Sequence, residues 1–268
     1  MQDVVRLARE RARSERNASF TKREVQDRQV LIAAAQATLA GLVAACERRK
    51  EDTTTALGAA LPPGALFDPA FLTSPQQAAV LAAVDAAAAG RWVAGGSPAS
   101  PRLVANFGGS PSRAAVTEPL PPFLATLAAG LAARFGWPAP PGHVLVNDYR
   151  GSAGLDHHTD GPLYSCSAVV TLSGPALLEL RPAAGEPGGA PPAHLLLRPG
   201  CALGLVEPAY SRWTHGIAAA GVDVVPASCV NMDSAGVTEG EAVPRAPRRI
   251  SLVFVCKVGA ANTGAGVG

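Results

Sequence analysis

The run Leu155-Asp156-His157-His158-Thr159-Asp160-Gly161 is the densest patch of chemistry in the chain. In an extended strand, residues two apart project from the same face, so His158 and Asp160 can aim an imidazole and a carboxylate at one point. His157 has Thr159 rather than an acid at that spacing and reads as a solvated or supporting residue on the opposite face. A second imidazole arrives at His215, ending another strand-like run. Two histidines and one carboxylate from two strands form the facial triad that suits non-haem iron(II) and leaves three coordination positions open. An isolated H-x-D tripeptide is common at an exposed strand end before a turn, and it is the distant His215 that turns this one into a metal site. His143 and His194 begin strands and read as ordinary surface or hydrogen-bonded histidines.

Three open positions accept two atoms of an α-keto acid and one molecule of O2. If that acid is 2-oxoglutarate, its distal carboxylate needs a cation inside the fold, and a guanidinium grips a carboxylate bidentately. Arg249 opens the last strand-like run, Ile250-Ser251-Leu252-Val253-Phe254-Val255. By alternation Arg249, Ser251, Val253 and Val255 share one face, Ile250, Leu252 and Phe254 share the other, and Arg248 points away from Arg249. Without the triad, Arg249 would read as a surface charge at a strand start.

The elements that must position these groups follow from the rest of the pattern. From His143 onward the chain reads as short strands between turns: His143–Tyr149, Leu155–Thr159, Ala168–Ser173, Leu177–Arg181, His194–Leu197, Ala202–Val206, Ser211–Ile217 and Ile250–Val258. Consecutive strands without intervening helices describe an antiparallel sandwich, not a βαβ sheet. The Gly- and Pro-rich segments Ala183–Pro192 and Gly216–Pro247 are expected as loops on that scaffold, the second as an exposed insertion carrying Asp223, Asp233, Glu239 and Glu241. Upstream, Ser74 as N-cap with Pro75 at the first helical position starts a helix that stops at Gly90, and a second helix runs from Pro121 to Phe135. Between them Gly95–Pro119, broken by Arg102-Leu103-Val104-Ala105-Asn106-Phe107, reads as a functional loop or lid. The chain thus divides into a charged helical extension over 1–60, a helical and lid region over 61–142, and a catalytic core over 143–268 with the 216–247 insertion. The fold class expected is mainly β with flanking helices (α+β).

Composition narrows the function classes. A chain of 268 residues with net charge +2 has no overall field suited to nucleic acid, so any basic surface must be local. Its five cysteines, Cys46, Cys166, Cys201, Cys229 and Cys256, are scattered, odd in number and never spaced C-x-x-C, which fits a reducing compartment and argues against a disulfide framework. No apolar stretch reads as reaching the ~20 residues needed to span a bilayer, so no membrane partner is expected. An intracellular location in cytoplasm or nucleus follows, and a monomer is the expected state. Arg6, Arg9, Arg11, Arg13 and Arg16 keep organelle targeting open, although Asp3, Glu10 and Glu15 interrupt the run. Val30, Leu31, Ile32, Leu39, Leu42 and Val43 give the extension a modest apolar stripe, read as an appended helix without chemistry.

The order Asn147-x-Tyr149, His158-x-Asp160, His215 and Arg249 resembles the AlkB-like family of iron(II)/2-oxoglutarate-dependent dioxygenases. Finer strings are similar to the branch typified by the sixth eukaryotic AlkB homologue. They include Asn106-Phe107-Gly108-Gly109, His143-Val144-Leu145-Val146-Asn147, Asp160-Gly161-Pro162-Leu163-Tyr164, Arg198-Pro199-Gly200, Pro208-Ala209-Tyr210 and Arg249-Ile250-Ser251-Leu252. The similarity runs from about Leu66 to Val258 and leaves out the N-terminal extension. It implies a double-stranded β-helix (jelly-roll) core, Fe(2+) as metal, 2-oxoglutarate and O2 as co-substrates, and a co-substrate site built from Asn147, Tyr149 and Arg249, with Ser251 on the same face. The family's second arginine, six positions after the first, is Val255 here, with Lys257 the nearest cation on that face. Loss of one charge-assisted hydrogen bond of ~1.5–3 kcal/mol corresponds to ~10–100-fold weaker co-substrate binding.

The resemblance also implies oxidation of N-alkyl groups, with a nucleic-acid substrate (RNA or DNA) or a protein substrate. Aromatic and guanidinium groups near the iron would then stack on a base. The candidates are Arg102, Asn106 and Phe107 in the lid-like segment, Tyr164 after the triad, and Tyr210 and Trp213 before His215. Phe107, Tyr210 and Trp213 read equally well as core in an aromatic-poor chain. Two alternatives stand beside the enzyme: a degenerate AlkB-like protein that binds nucleic acid or a protein partner without turnover, and a metal-binding barrel that ignores 2-oxoglutarate.

Overall fold

Alternation of apolar and polar positions sorts the strands into two facing sheets. A computed structural model describes residues 20–50, 60–96, 101–109, 116–185 and 190–257. It runs α1 (Lys22–Thr38), α2 (Leu42–Arg48), β1 (Ala65–Asp68), α3 (Ser74–Ala88), β2 (Val93–Gly95), β3 (Arg102–Phe107), α4 (Pro122–Phe135), β4 (His143–Arg150) and β5 (Leu155–His158). There follow β6 (Tyr164–Ser173), β7 (Ala176–Pro182), β8 (Ala193–Leu197), β9 (Ala202–Leu205), α5 (Ala209–Arg212) and β10 (Trp213–Ile217). The chain closes with β11 (Val222–Val224), α6 (Met232–Ala235), β12 (Ala242–Pro244) and β13 (Arg248–Lys257).

The larger sheet has the order β1-β9-β6-β13-β4-β3-β2 and the smaller β5-β10-β7-β8. The pairings within both are antiparallel, so the fold is the mainly β, helix-flanked jelly roll expected. One face of the larger sheet, including Leu103, Ala105, Phe107, Val144, Val146, Leu252 and Phe254, is buried against the helices in the main core. Its other face presents Phe67, Leu203 and Leu205 to Leu178, Leu180, Leu195 and Leu197 of the smaller sheet, forming a second core. Each such side chain contributes about 1.5–3 kcal/mol on full burial. The candidate site lies between the sheets, on the polar end of that inner face.

Four local expectations are corrected. Thr73, not Ser74, caps α3: its backbone N–H donates to Gln76 Oε1 at 3.0 Å in a capping box, which places Ser74 and Pro75 in the first turn. The segment expected as a lid contains β3, hydrogen-bonded between β2 and β4 in the larger sheet. The lid's flanks at 97–100 and 110–115 lie outside the described residues. The strand expected to begin at Ser211 begins at Trp213, after the short helix α5.

The fourth correction concerns the 216–247 insertion, which is folded. β11 and β12 form a hairpin, and Val225, Cys229, Ala235, Val237 and Val243 bury Leu196 in a third apolar cluster. Asn231 bridges both backbone groups of Leu196, accepting at 2.9 Å and donating at 3.0 Å. Asp223, expected as exposed, is buried and grips Arg245 through two bonds of 2.6 and 2.8 Å.

The N-terminal extension is also tied to the body from Lys22 onward. Ala35, Leu39, Leu42 and Cys46 are buried in the main core, and Gln36 Nε2 donates to Thr126 Oγ1 at 3.0 Å. Arg134 of α4 pairs with Asp68 at 2.6 Å and donates to the Arg49 carbonyl. By length and composition alone the 27-residue stretch Lys22–Arg48 is long and apolar enough to cross a membrane, contrary to the sequence reading. In this fold Gly41, at φ 80°, breaks it into two helices whose inner sides close the main core. The arginine run from Arg6 to Arg16 lies outside the described residues.

Candidate metal centre

Strands β5 and β10 lie side by side with His158 directly opposite His215, and Asp160 follows His158 at the strand end. The three side chains offer ligand atoms that all lie within 4.8 Å of one another. Asp160 Oδ1 is 3.7 Å from His158 Nε2 and 3.8 Å from His215 Nε2, and the two rings meet at 4.4 Å between centroids. His158 Nδ1 lies 2.8 Å from the Asp156 carbonyl. A carbonyl only accepts, so Nδ1 carries the proton and Nε2 keeps its lone pair for a metal. Burial pushes the His215 imidazolium down to about 4, against a smaller opposing pull from Asp160, so its ring is a neutral ligand at neutral pH.

His157 points to the other face, as strand parity requires. Its Nε2 lies 3.1 Å from Glu179 Oε2 and its Nδ1 3.3 Å from Thr214 Oγ1. Gly216 passes so close beneath that a Cβ there would come within 2.6 Å of the His157 ring. Tyr210 supports the turn after Asp160 by donating its hydroxyl to the Gly161 carbonyl at 2.7 Å.

The triad opens into a cleft of about 470 Å3, including the space at its mouth. From the larger sheet it is lined by Arg102, Asn147, Tyr149, Arg249 and Ser251, with Leu145, Val169 and Val253 as apolar neighbours. The smaller sheet contributes Leu155, Leu178, Leu197 and Ile217 beside His158, Asp160 and His215. All four residues expected at the co-substrate site are therefore in one cavity with the three expected metal ligands. Arg249 is 6% exposed, its Nε has no hydrogen-bond partner, and Nη2 reaches Thr171 Oγ1 at 3.5 Å. Desolvation disfavours its charge, and the Tyr149 ring 5.1 Å away compensates only in part. A buried guanidinium with no carboxylate partner among the described residues is suited to receive an anion. Thr171, which the sequence reading missed, is held on this face by the same alternation that runs through β6.

The expected substrate contacts divide sharply. Arg102 lines the cleft, whereas Phe107 is buried in the main core with Arg91 over its ring at 4.9 Å. Tyr210 is buried in the second core, and Tyr164 and Trp213 pack against that core. Asn106 shares the inner face of β3 with Arg102 but lies beyond the cleft, its Oδ1 buried without a hydrogen-bond partner. Val255 is buried on the Arg249 face beyond Val253 and does not line the cleft; the Lys257 side chain lies outside the described residues.

A scan against protein-family models finds no match. Over 213 residues the chain is 29% identical to a protein of Danio rerio named probable RNA/DNA demethylase ALKBH6, covering 75% of this chain and 89% of that protein. Among solved structures, that of OsALKBH1 shares the fold with a TM-score of 0.52 and 16% identity, covering 73% of this chain and 99% of that one. With the jelly-roll core, a His-Asp-His cluster and a cationic cavity beside it, the chain is similar to the AlkB-like 2-oxoglutarate-dependent dioxygenases.

Proposed function

We propose that His158, Asp160 and His215 hold iron(II), that Arg249, Tyr149, Asn147 and Ser251 hold 2-oxoglutarate, and that the enzyme oxidatively removes N-alkyl groups from nucleic acid. The observation that carries this reading is the shared cavity: three groups able to hold a metal and a buried guanidinium whose Nε has no hydrogen-bond partner line the same space. When bound, the iron couples decarboxylation of the keto acid by O2 to insertion of one oxygen atom into a substrate C–H bond. The overall balance is 2-oxoglutarate, O2 and an N-methyl group giving succinate, CO2 and an N-hydroxymethyl group, which leaves as formaldehyde.

The residues around the iron site have separable tasks. Arg249 anchors the distal carboxylate, with Tyr149 beside it. The Asp156 carbonyl fixes the His158 tautomer, and Tyr210 holds the turn carrying Asp160. Leu155, Leu178, Leu197 and Ile217 keep the inner wall apolar, which favours exclusion of competing water. The nucleic-acid assignment is supported by the printed name of the zebrafish relative, a probable RNA/DNA demethylase. The complete triad and co-substrate set argue against a binding protein without turnover.

Succinate release is the direct test, measured with iron(II), 2-oxoglutarate and O2 across pools of methylated RNA, DNA and protein. Stimulation by methylated RNA or DNA, lost in His158→Ala, supports the reading. Stimulation by the protein pool alone moves the substrate to protein, and metal binding without succinate under any pool favours the degenerate alternative.

A further inference from the structure

Arg102, on β3, faces the co-substrate cavity from the side opposite Arg249. The β3–β4 register sets Leu103 against Asp148 and Val104 against Asn147, so its continuation brings Arg102 level with Tyr149. On the other flank of β4, Arg249 is directly opposite Tyr149. Three strands thus present an Arg–Tyr–Arg row on one face, with the guanidinium carbons 5.8 and 5.1 Å from the Tyr149 ring centre.

Two further observations give Arg102 a task. Its Nε donates to Asn147 Oδ1 at 2.7 Å. Arginine has only donors, so this bond fixes which way the Asn147 amide faces and turns its NH2 group away from Arg102. Elsewhere in the fold Arg91, Arg134, Arg150, Arg245 and Arg248 each end on a carboxylate. Among the described residues no carboxylate pairs with Arg102 or Arg249. Two guanidiniums, joined by a divalent metal when one is bound, face a single carboxylate, Asp160, in this cavity. A dianionic ligand removes most of that excess, while a neutral one leaves it in place.

We propose that Arg102 is the second cation of the co-substrate site, a binding and positioning residue that attracts the dicarboxylate and orients Asn147 toward it. The proposal rests on the dioxygenase reading above. It assigns Arg102 to 2-oxoglutarate rather than to the nucleic-acid substrate, and it supplies from β3 the charge that Val255 cannot offer from β13.

The test is calorimetric titration of 2-oxoglutarate into full-length protein loaded with Mn(II) in place of iron, so that binding is read without turnover. Arg102→Gln keeps a donor for Asn147 and removes the charge; Arg102→Lys keeps the charge and loses the planar fork. Arg102→Gln is expected to bind 2-oxoglutarate about 10–100-fold more weakly, with Arg102→Lys between it and wild type. Mn(II) affinity and the binding of a methylated oligonucleotide without co-substrate are expected to stay unchanged. An Arg102→Gln protein that binds 2-oxoglutarate like wild type, or that loses the oligonucleotide instead, overturns the role of Arg102 alone. A wild-type protein that binds no 2-oxoglutarate overturns both this role and the reading beneath it. Melting temperatures of both variants separate loss of binding from loss of fold.

Discussion

Arg249 sits where a protein concerned only with stability would place an apolar residue. It is buried beside Thr171 and Tyr149 with an unsatisfied Nε. Removing an uncompensated buried charge is neutral or favourable for folding, while removing the anion's partner is costly for binding. Arg249→Leu is therefore expected to hold or raise the melting temperature of the ligand-free protein and to weaken 2-oxoglutarate binding at least about 100-fold. Differential scanning fluorimetry with and without 2-oxoglutarate reads both; a variant that melts earlier and still gains stability from 2-oxoglutarate contradicts the assignment. Gly216 belongs to the same scale, since a methyl group there meets the His157 ring at 2.6 Å, one residue from His215. Gly216→Ala is expected to displace that ring and lower metal affinity about tenfold, as changes just outside a metal's ligands do, measured by chelator competition. Strand parity made most of this legible in the sequence: it separated His158 from His157 and put Arg249 and Ser251 on one face. The same rule placed Phe107 with Leu103 and Ala105, away from the cleft, and the stacking assignment failed by not applying it.

At the scale of elements, the β11–β12 hairpin shows where sequence pattern stops. Its three-residue strands are too short to display a period, and what holds them comes from distant positions. Leu196 arrives from β8, and Asp223 closes on Arg245 across the hairpin while accepting from the Leu177 N–H at 3.1 Å. Neither partner is signalled locally, so acidic residues in a Gly/Pro-rich stretch read as a solvated loop. Asp223→Ala leaves Arg245 buried without its partner and is expected to cost about 3–5 kcal/mol, read by urea denaturation. Replacing both residues by apolar ones of similar size should recover much of that loss; an equally unstable double variant would mean that the pair is not what holds the hairpin. The starts of α3 and α4, by contrast, were legible to within a residue because start signals are local: Thr73 closes a capping box with Gln76 just before Pro75, and α4 opens on a proline.

At the scale of the whole molecule, the N-terminal helices and the larger sheet share one core. Leu39 is fully buried in it, and Phe71 and Leu127 belong to the same cluster. Leu39→Ala is expected to lower global stability by about 2–5 kcal/mol, although it lies far in sequence from the triad. A change within about 0.5 kcal/mol by chemical denaturation would instead mean that the junction between α1 and α2 contributes nothing to the fold. Only part of the apolar stripe of this segment was visible in sequence: Leu39 and Leu42 are buried with Ala35 and Cys46, whereas Val30 and Leu31 are exposed, and the surface covered comes from α3, α4 and the sheet later in the chain. What the whole fold achieves is to set a His-Asp-His triad able to hold a metal beside one sheet, opposite a buried guanidinium on the other, and the proposed function needs the two acting together. The most direct measurement is succinate formed from 2-oxoglutarate by iron-loaded wild-type protein beside His158→Ala and Arg249→Ala. The account predicts succinate from wild type and a loss of at least about 100-fold in each variant at limiting 2-oxoglutarate. Wild-type levels of succinate from either variant would contradict it.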